Sequence, residues 1–385
     1  MKRNSYPVYA LAKMIRLMLL PIAKLKYGKK HIWLICERGN DARDNGYHMF
    51  RYLRKEHPEI NAYYVITGDS VYLDKVSGLG NVVHPHTLDY WLKYISAEKI
   101  LTAFDPLTPT GNKRFAEYVA VKSRQKTIFL QHGIIANDMP YYYKEQSRFD
   151  MFICGAKPEY DFVSRNFHYT DGEVRYTGLA RFDALHNISP IRQILIMPTW
   201  RRWLSELSGE EVKESEYVRR WNSLLNSPEL AGITKRYDVK VVFYPHQMMQ
   251  KFVGLFSSDN PMVEIADCKT RDVQTLLKES ALLITDASSI HFDFAYMKKP
   301  LLYYQFDEDR FFKEHYEHGY FDFDKMGFGP KVNSEEELLA DIEKYASDDF
   351  RQSPEYSKRI EGFFPLYDSH NCERVFKEIT ESFDK

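Results

Sequence analysis

From about residue 30 onward, short unbroken apolar runs alternate with longer stretches in which apolar residues recur at every third or fourth position. The runs predict strands at Ile32–Cys36, Ala62–Ile66, Lys99–Ala103, Thr127–Leu130, Met151–Ile153 and Val174–Thr177. A second set follows at Gln193–Met197, Val239–Tyr244, Leu282–Thr285 and Leu301–Tyr304. The periodic stretches predict helices over Tyr47–Glu56, Asp89–Ile95, Tyr160–Asn166, Tyr217–Leu225 and Val273–Glu279. Strands that are apolar on both faces and separated by helices belong to parallel sheets covered on both sides. The expected class is therefore α/β, with two doubly wound, Rossmann-like halves facing a central cleft. The turn-rich stretch Leu185–Ile191, with Asn187, Ser189 and Pro190, reads as the link between them. The expected domains are residues 31–188 and 189–385, with the last helix free to pack back on the first.

Residues 1–30 follow a different pattern. Read as a helix, Leu11, Met14, Ile15, Met18, Ile22 and Leu25 share one face, with Lys13, Arg16 and Lys24 roughly opposite. The longest apolar run, Leu17–Ala23, contains Pro21 and falls far short of the ~20 residues that span a bilayer. No convincing cleavage site follows it. Two readings stay open: a basic amphipathic helix lying on an anionic membrane, or a helix docked on the protein's own core. Charge sharpens the first. The chain carries 53 Lys+Arg against 54 Asp+Glu, a net −1. Residues 1–30 hold Lys2, Arg3, Lys13, Arg16, Lys24, Lys26, Lys29 and Lys30 and no acid, so the −1 divides into +8 there and −9 elsewhere. No global positive field draws the chain to nucleic acid. The four cysteines, Cys36, Cys154, Cys268 and Cys372, form no C-x-x-C pair and support neither a zinc knuckle nor a disulfide framework, and Cys36 and Cys154, in apolar strand-like runs, predict buried reduced thiols.

In doubly wound sheets ligands bind beyond the carboxyl ends of strands, so polar residues at those exits are the candidates for chemistry. Thr127–Leu130 leads into Gln131-His132-Gly133, where an imidazole can take a proton from a hydroxyl or simply cap a turn, and Gly133 permits close approach of a ligand or an unusual backbone angle. Gln193–Met197 leads into Pro198, Thr199 and Arg201, a hydroxyl and a guanidinium suited to a phosphate oxygen or to an exposed loop. Val239–Tyr244 leads into Pro245 and His246, a second strand–Pro–His exit able to neutralise a phosphate. Leu282–Thr285 leads into Asp286, Ser288 and Ser289 before a helix expected over Ser289–Met297, which Asp286 or Ser288 could N-cap. Hydroxyls and N–H groups at such a terminus suit an anion, while a plain cap would need only one of these residues. No G-x-x-x-x-G-K-[ST], G-x-G-x-x-G or H-E-x-x-H pattern occurs, and the expectation is against an NTPase, a Rossmann dinucleotide site and a metal-dependent transferase.

The order QHG, GLARFD, MPTWR, YPH, ITDASSIHFDFAYMKKP and GFGP resembles the CDP-glycerol glycerophosphotransferase family of teichoic acid and capsule biosynthesis. There the corresponding stretches look like WHGTPLK, GYPRND, APTWR, RPHP, TDYSSxxFDFxxxxKP and PGP. The resemblance runs from about Ile32 to the C-terminal helix. It implies a GT-B fold and a metal-independent phosphotransferase with no cofactor, attached peripherally to the cytoplasmic side of the cell membrane. Its partners would be a CDP-glycerol or related CDP-polyol donor, an undecaprenyl-diphosphate-linked acceptor or polymer and the anionic membrane surface; CMP would be released. By this resemblance His132 matches the base, His246 the histidine near the donor phosphates, and Arg201, Thr285, Asp286, Ser288 and Ser289 the phosphate-binding groups. Ile134 and Ile135 replace the usual Thr-Pro-Leu-Lys and Ala287 replaces Tyr, departures that bear on acceptor and polyol. Two alternatives are a GT-B glycosyltransferase using a nucleotide sugar and an inactive membrane-associated scaffold.

Overall fold

The computed structural model describes residues 6–28, 30–105, 125–315 and 318–384. Of the N-terminal basic residues, Lys2, Arg3 and Lys29 lie outside the described residues. The chain divides into two compact units, one of Met1–His132, Pro140–Ala184 and Asp368–Lys385, the other of Gly133–Met139 and Leu185–Tyr367.

The first unit is built on β1 (Ile32–Cys36), β2 (Asn61–Val65), β3 (Val82–Val83), β4 (Ala97–Thr102), β5 (Lys126–Phe129), β6 (Met151–Cys154) and β7 (Val174–Tyr176). They pair in the order β3-β2-β1-β4-β5-β6-β7, every pairing parallel. Side chains alternate across the pleat, so β1 feeds two cores. Trp33 and Ile35 meet Met49, Phe50 and Leu53 of helix Asn45–Glu56, together with Cys372, Val375 and Ile379 of helix Asn371–Phe383. Ile32, Leu34 and Cys36 meet Tyr90 and Tyr94 of helix Leu88–Ser96, together with Ala12, Ala23 and Tyr27 of helix Tyr6–Tyr27. The C-terminal helix is thus part of the first unit's core, although it follows the second unit in the chain. Asp183 fixes its start by accepting from the Asn371 and Cys372 backbone N–H groups at 2.7 and 2.9 Å.

The second unit carries β8 (Ile191–Ile196), β9 (Lys240–Phe243), β10 (Val263–Ile265), β11 (Ser280–Thr285), β12 (Leu301–Tyr304) and β13 (Lys331–Val332). Their order is β10-β9-β8-β11-β12-β13, again all parallel. Ile194, Ile196, Val241, Phe243, Leu282 and Ile284 form one side of its core against Trp221, Leu224, Leu338 and Ile342. All ten expected strands form. The three not foreseen, β3, β10 and β13, are edge strands of two or three residues, too short to register as a pattern.

The N-terminal helix docks on the first unit's core and leaves an apolar row exposed. Its docked side is Ala12, Ala23 and Tyr27, held where Lys93 donates to the Tyr27 hydroxyl at 3.2 Å and Lys26 pairs with Asp89 at 3.1 Å. Desolvation would raise the Asp89 pKa, but the bonds from Lys93, Tyr27 and Lys26 hold it down at about 2. Leu11, Met14, Met18, Ile22 and Leu25 lie on the opposite side and stay 47–91% exposed. Among the described residues no helix is long and apolar enough to cross a membrane.

Candidate functional site

In the first unit, the exits of β1, β4 and β5 bring Arg38, Phe104 and His132 together. The His132 ring stacks on Phe104 at 4.5 Å and 17°, and the Arg38 guanidinium lies 4.3 Å from the centre of the same Phe104 ring. His132 Nδ1 is 3.2 Å from the Ala103 carbonyl oxygen. A carbonyl can only accept, so Nδ1 carries the proton and Nε2 presents the lone pair. Burial pushes the His132 pKa down to about 4, with Arg38 and Arg181 adding to the fall and the Ala103 bond opposing it. The ring is therefore neutral at pH 7, as a general base must be. The unusual backbone angle anticipated at Gly133 falls instead at Gln131, whose φ is 61°.

Gly133 belongs to the second unit, and its close neighbour there is Ser289. A Cβ on Gly133 would lie 3.1 Å from the Ser289 Oγ.

At the exits of β8, β11 and β12 the residues expected to bind phosphate bond to one another and to neighbouring backbone. Asp286 is buried and accepts from the Thr199 backbone N–H at 2.8 Å, the Thr199 hydroxyl at 2.7 Å and Arg201 Nη1 at 2.7 Å. Arg201 is 1% exposed and closes a two-bond fork on Asp307, Nε and Nη2 each donating at 2.7 Å. Desolvation works against its charge, yet Asp286 and Asp307 hold the guanidinium pKa above its ordinary value. Thr285 turns its hydroxyl to the Met197 carbonyl at 2.7 Å. Thr199, Arg201, Thr285 and Asp286 are thus a buried brace between strand ends, with their donors and acceptors engaged by protein. Asp286 is not the helix cap either. Its helix runs Ile290–Tyr296, follows Ser289, and begins with no side-chain cap bond.

Ser288 is half-buried and Ser289 exposed beyond that brace. His246, half-buried at the β9 exit, accepts the Met248 backbone N–H on Nδ1 at 3.2 Å and stacks near Trp200 at 6.4 Å. Accepting on Nδ1 places the proton of the neutral ring on Nε2. The two histidines therefore have opposite polarity, one presenting a lone pair and the other an N–H. Asp307 and Gln305 were missed in the sequence, though both follow β12 and the strand-exit rule applied there would have reached them. Gln305 Nε2 donates to the Asp286 carbonyl at 2.8 Å.

The family model described as CDP-Glycerol:Poly(glycerophosphate) glycerophosphotransferase matches residues 18–381. Minor teichoic acid biosynthesis protein GgaB of Bacillus subtilis (strain 168) is 31% identical over 369 residues, covering 92% of this chain and 40% of that protein. A teichoic acid poly(glycerol phosphate) polymerase of the same organism is 26% identical over 253 residues, 61% of this chain and 32% of its own length. The chain spans less than half the length of these relatives. Among solved structures, the wall teichoic acid polymerase TagF matches with a TM-score of 0.70 at 18% identity, over 100% of this chain and 99% of that one. An S. aureus MnaA–UDP structure matches with a TM-score of 0.55 at 15% identity, over 92% of this chain and 97% of that one. These likenesses show the fold, two Rossmann-like domains with parallel sheets. With nearly its whole length matched, the chain belongs to the CDP-glycerol:poly(glycerophosphate) glycerophosphotransferase family.

Proposed function

We propose that the chain transfers glycerol phosphate, or a related polyol phosphate, from a CDP-activated donor to a hydroxyl of a lipid-linked glycan or polymer in teichoic acid or capsule synthesis. The observation that carries this reading is the opposite polarity of the two strand-exit histidines in a chain of this family. His132 Nε2 takes the acceptor proton as the acceptor oxygen attacks the phosphorus that bears the polyol. A P–O bond forms to the acceptor, the P–O bond to the CMP moiety breaks, and CMP leaves with the bridging oxygen. The His246 N–H and the Ser288 and Ser289 hydroxyls donate to the phosphate oxygens on which charge develops.

In this reading the first unit serves the acceptor and the second the CDP donor. Thr199, Arg201, Thr285 and Asp286 hold the donor-side exits in shape without touching the donor, and Gly133 keeps Ser289 uncrowded. The exposed row on helix Tyr6–Tyr27, with Lys13, Lys24, Lys26 and Lys30 around it, supports peripheral attachment to an anionic leaflet at the cytoplasmic face, where a lipid-linked acceptor is held.

The test is CMP release from CDP-glycerol with a lipid-linked acceptor. Base catalysis contributes about 10²–10⁴-fold, and one fixed donor about 10²–10³-fold. His132→Ala and His246→Ala are each expected to lose at least about 10²-fold on those scales. Turnover retained in either variant removes that histidine from the mechanism.

A further inference from the structure

We propose that Asn45 is a positioning residue for the His132 imidazole, acting through the peptide group between Gln131 and His132; this rests on the reading of His132 as the base. The Asn45 side chain is fully buried at the start of helix Asn45–Glu56. Its Nδ2 donates to the Gln131 carbonyl oxygen at 2.8 Å, and its Oδ1 accepts the Arg181 backbone N–H at 2.9 Å. Both partners offer only one kind of bonding group, so the amide can sit only one way round.

The group it grips is unusual. Gln131 has φ 61°, a left-handed conformation that costs a residue with a Cβ, and it is fully buried immediately before the candidate base. Its own side chain donates to the Ile153 carbonyl, which ties the residue down a second time. With the Gln131 carbonyl fixed, the plane of the next peptide is fixed, and from it the His132 ring reaches Ala103.

The clamp is itself anchored. Glu37, at the β1 exit, accepts the backbone N–H groups of Arg43 and Asp44 at 3.0 Å and of Tyr47 at 2.8 Å. Asp44 accepts the Asn45 N–H at 2.8 Å and Arg181 Nη1 at 2.7 Å. Strained backbone that is over-determined by its surroundings is how a fold stores a placed side chain. Neither Asn45 nor Gln131 is needed for the sheet ladder by its side chain, so their buried bonds serve the exit that carries His132.

Two variants of the full chain test this. Asn45→Asp keeps the acceptor toward Arg181 but turns an oxygen on the Gln131 carbonyl; Asn45→Ala removes both bonds. Displacing a reacting group by about 1 Å can cost about 10²-fold. Each variant is therefore expected to lower kcat for CMP release about 10²-fold with KM for CDP-glycerol unchanged. The ring ¹⁵N signals of His132 should also leave the pattern of the Nδ1–H tautomer. Wild-type kcat with unmoved ring signals in a folded variant overturns the proposal.

Should a variant fail to fold, the wild-type protein decides. The Asn45 side-chain N–H should exchange with solvent as slowly as the adjoining sheet amides, and exchange at the rate of an exposed amide overturns the clamp. The His132→Ala variant separates the two readings. If it stays active while Asn45→Asp moves the ring, the base assignment fails and the positioning stands. If it is inactive while Asn45→Asp leaves the ring unmoved, the positioning fails and the base stands.

Discussion

His132 and His246 are one residue type given opposite polarity by the partner each Nδ1 meets. A carbonyl takes a proton from the first ring and a backbone N–H gives one to the second. The consequence for pH follows from burial, which pushes the His132 pKa down to about 4 from an ordinary value near 6.5. A base is active when deprotonated, so kcat/KM should stay level as pH falls through 6.5 and decline only towards 4. A pH profile of CMP release checks this; an acid limb centred near 6.5 would mean a solvated histidine. At this scale the sequence located both rings but not their protons, because the choice of tautomer depends on neighbours distant in sequence, Ala103 among them. The protein partners of Arg201 were missed for the same reason. A strand-exit arginine looks available until Asp307, more than a hundred residues on, is seen to hold it.

The elements were more legible than the bonds between them. Strand β1 ran Ile32–Cys36 and β12 Leu301–Tyr304, as the apolar runs dictated, since a strand buried on both faces has little freedom to be polar. Edge strands such as β13, two residues long, left no periodicity to read. Nor did hydrophobic pattern alone say which sheet the C-terminal helix would cover. The ends of β8, β11 and β12 are joined by the Arg201–Asp286–Asp307 brace, whose bonds replace the water these charges lost. Removing one partner of a buried pair typically costs about 3–5 kcal/mol. Asp307→Ala is expected to destabilise the second unit by about that amount, read as a lower urea midpoint. A change under about 0.5 kcal/mol, the range of an ordinary surface substitution, would show the brace to be incidental.

For the molecule as a whole, the division of charge that began as +8 and −9 now has a physical setting. Helix Tyr6–Tyr27 is docked by one side and leaves Leu11, Met14, Met18, Ile22 and Leu25 exposed on the other. Replacing Met18 and Ile22 together by Asp should abolish binding to anionic vesicles while leaving the unfolding midpoint and CDP-glycerol binding unchanged. Both side chains are about half-exposed in the folded chain and contribute little to its core. Binding by the native helix should weaken with salt, because the part due to its lysines is screened over about 8–10 Å. Undiminished vesicle binding by the double variant would restrict the helix to its docking role.

The assignment of the reaction itself rests most directly on the donor. The full chain would be incubated with lipid-linked acceptor and, in parallel, CDP-glycerol, CDP-ribitol and UDP-N-acetylglucosamine, each labelled in the group to be transferred. The expected result is acceptor-dependent transfer from a CDP-polyol with one CMP released per unit added. Transfer of sugar from the UDP donor, with both CDP-polyols left intact, would contradict it.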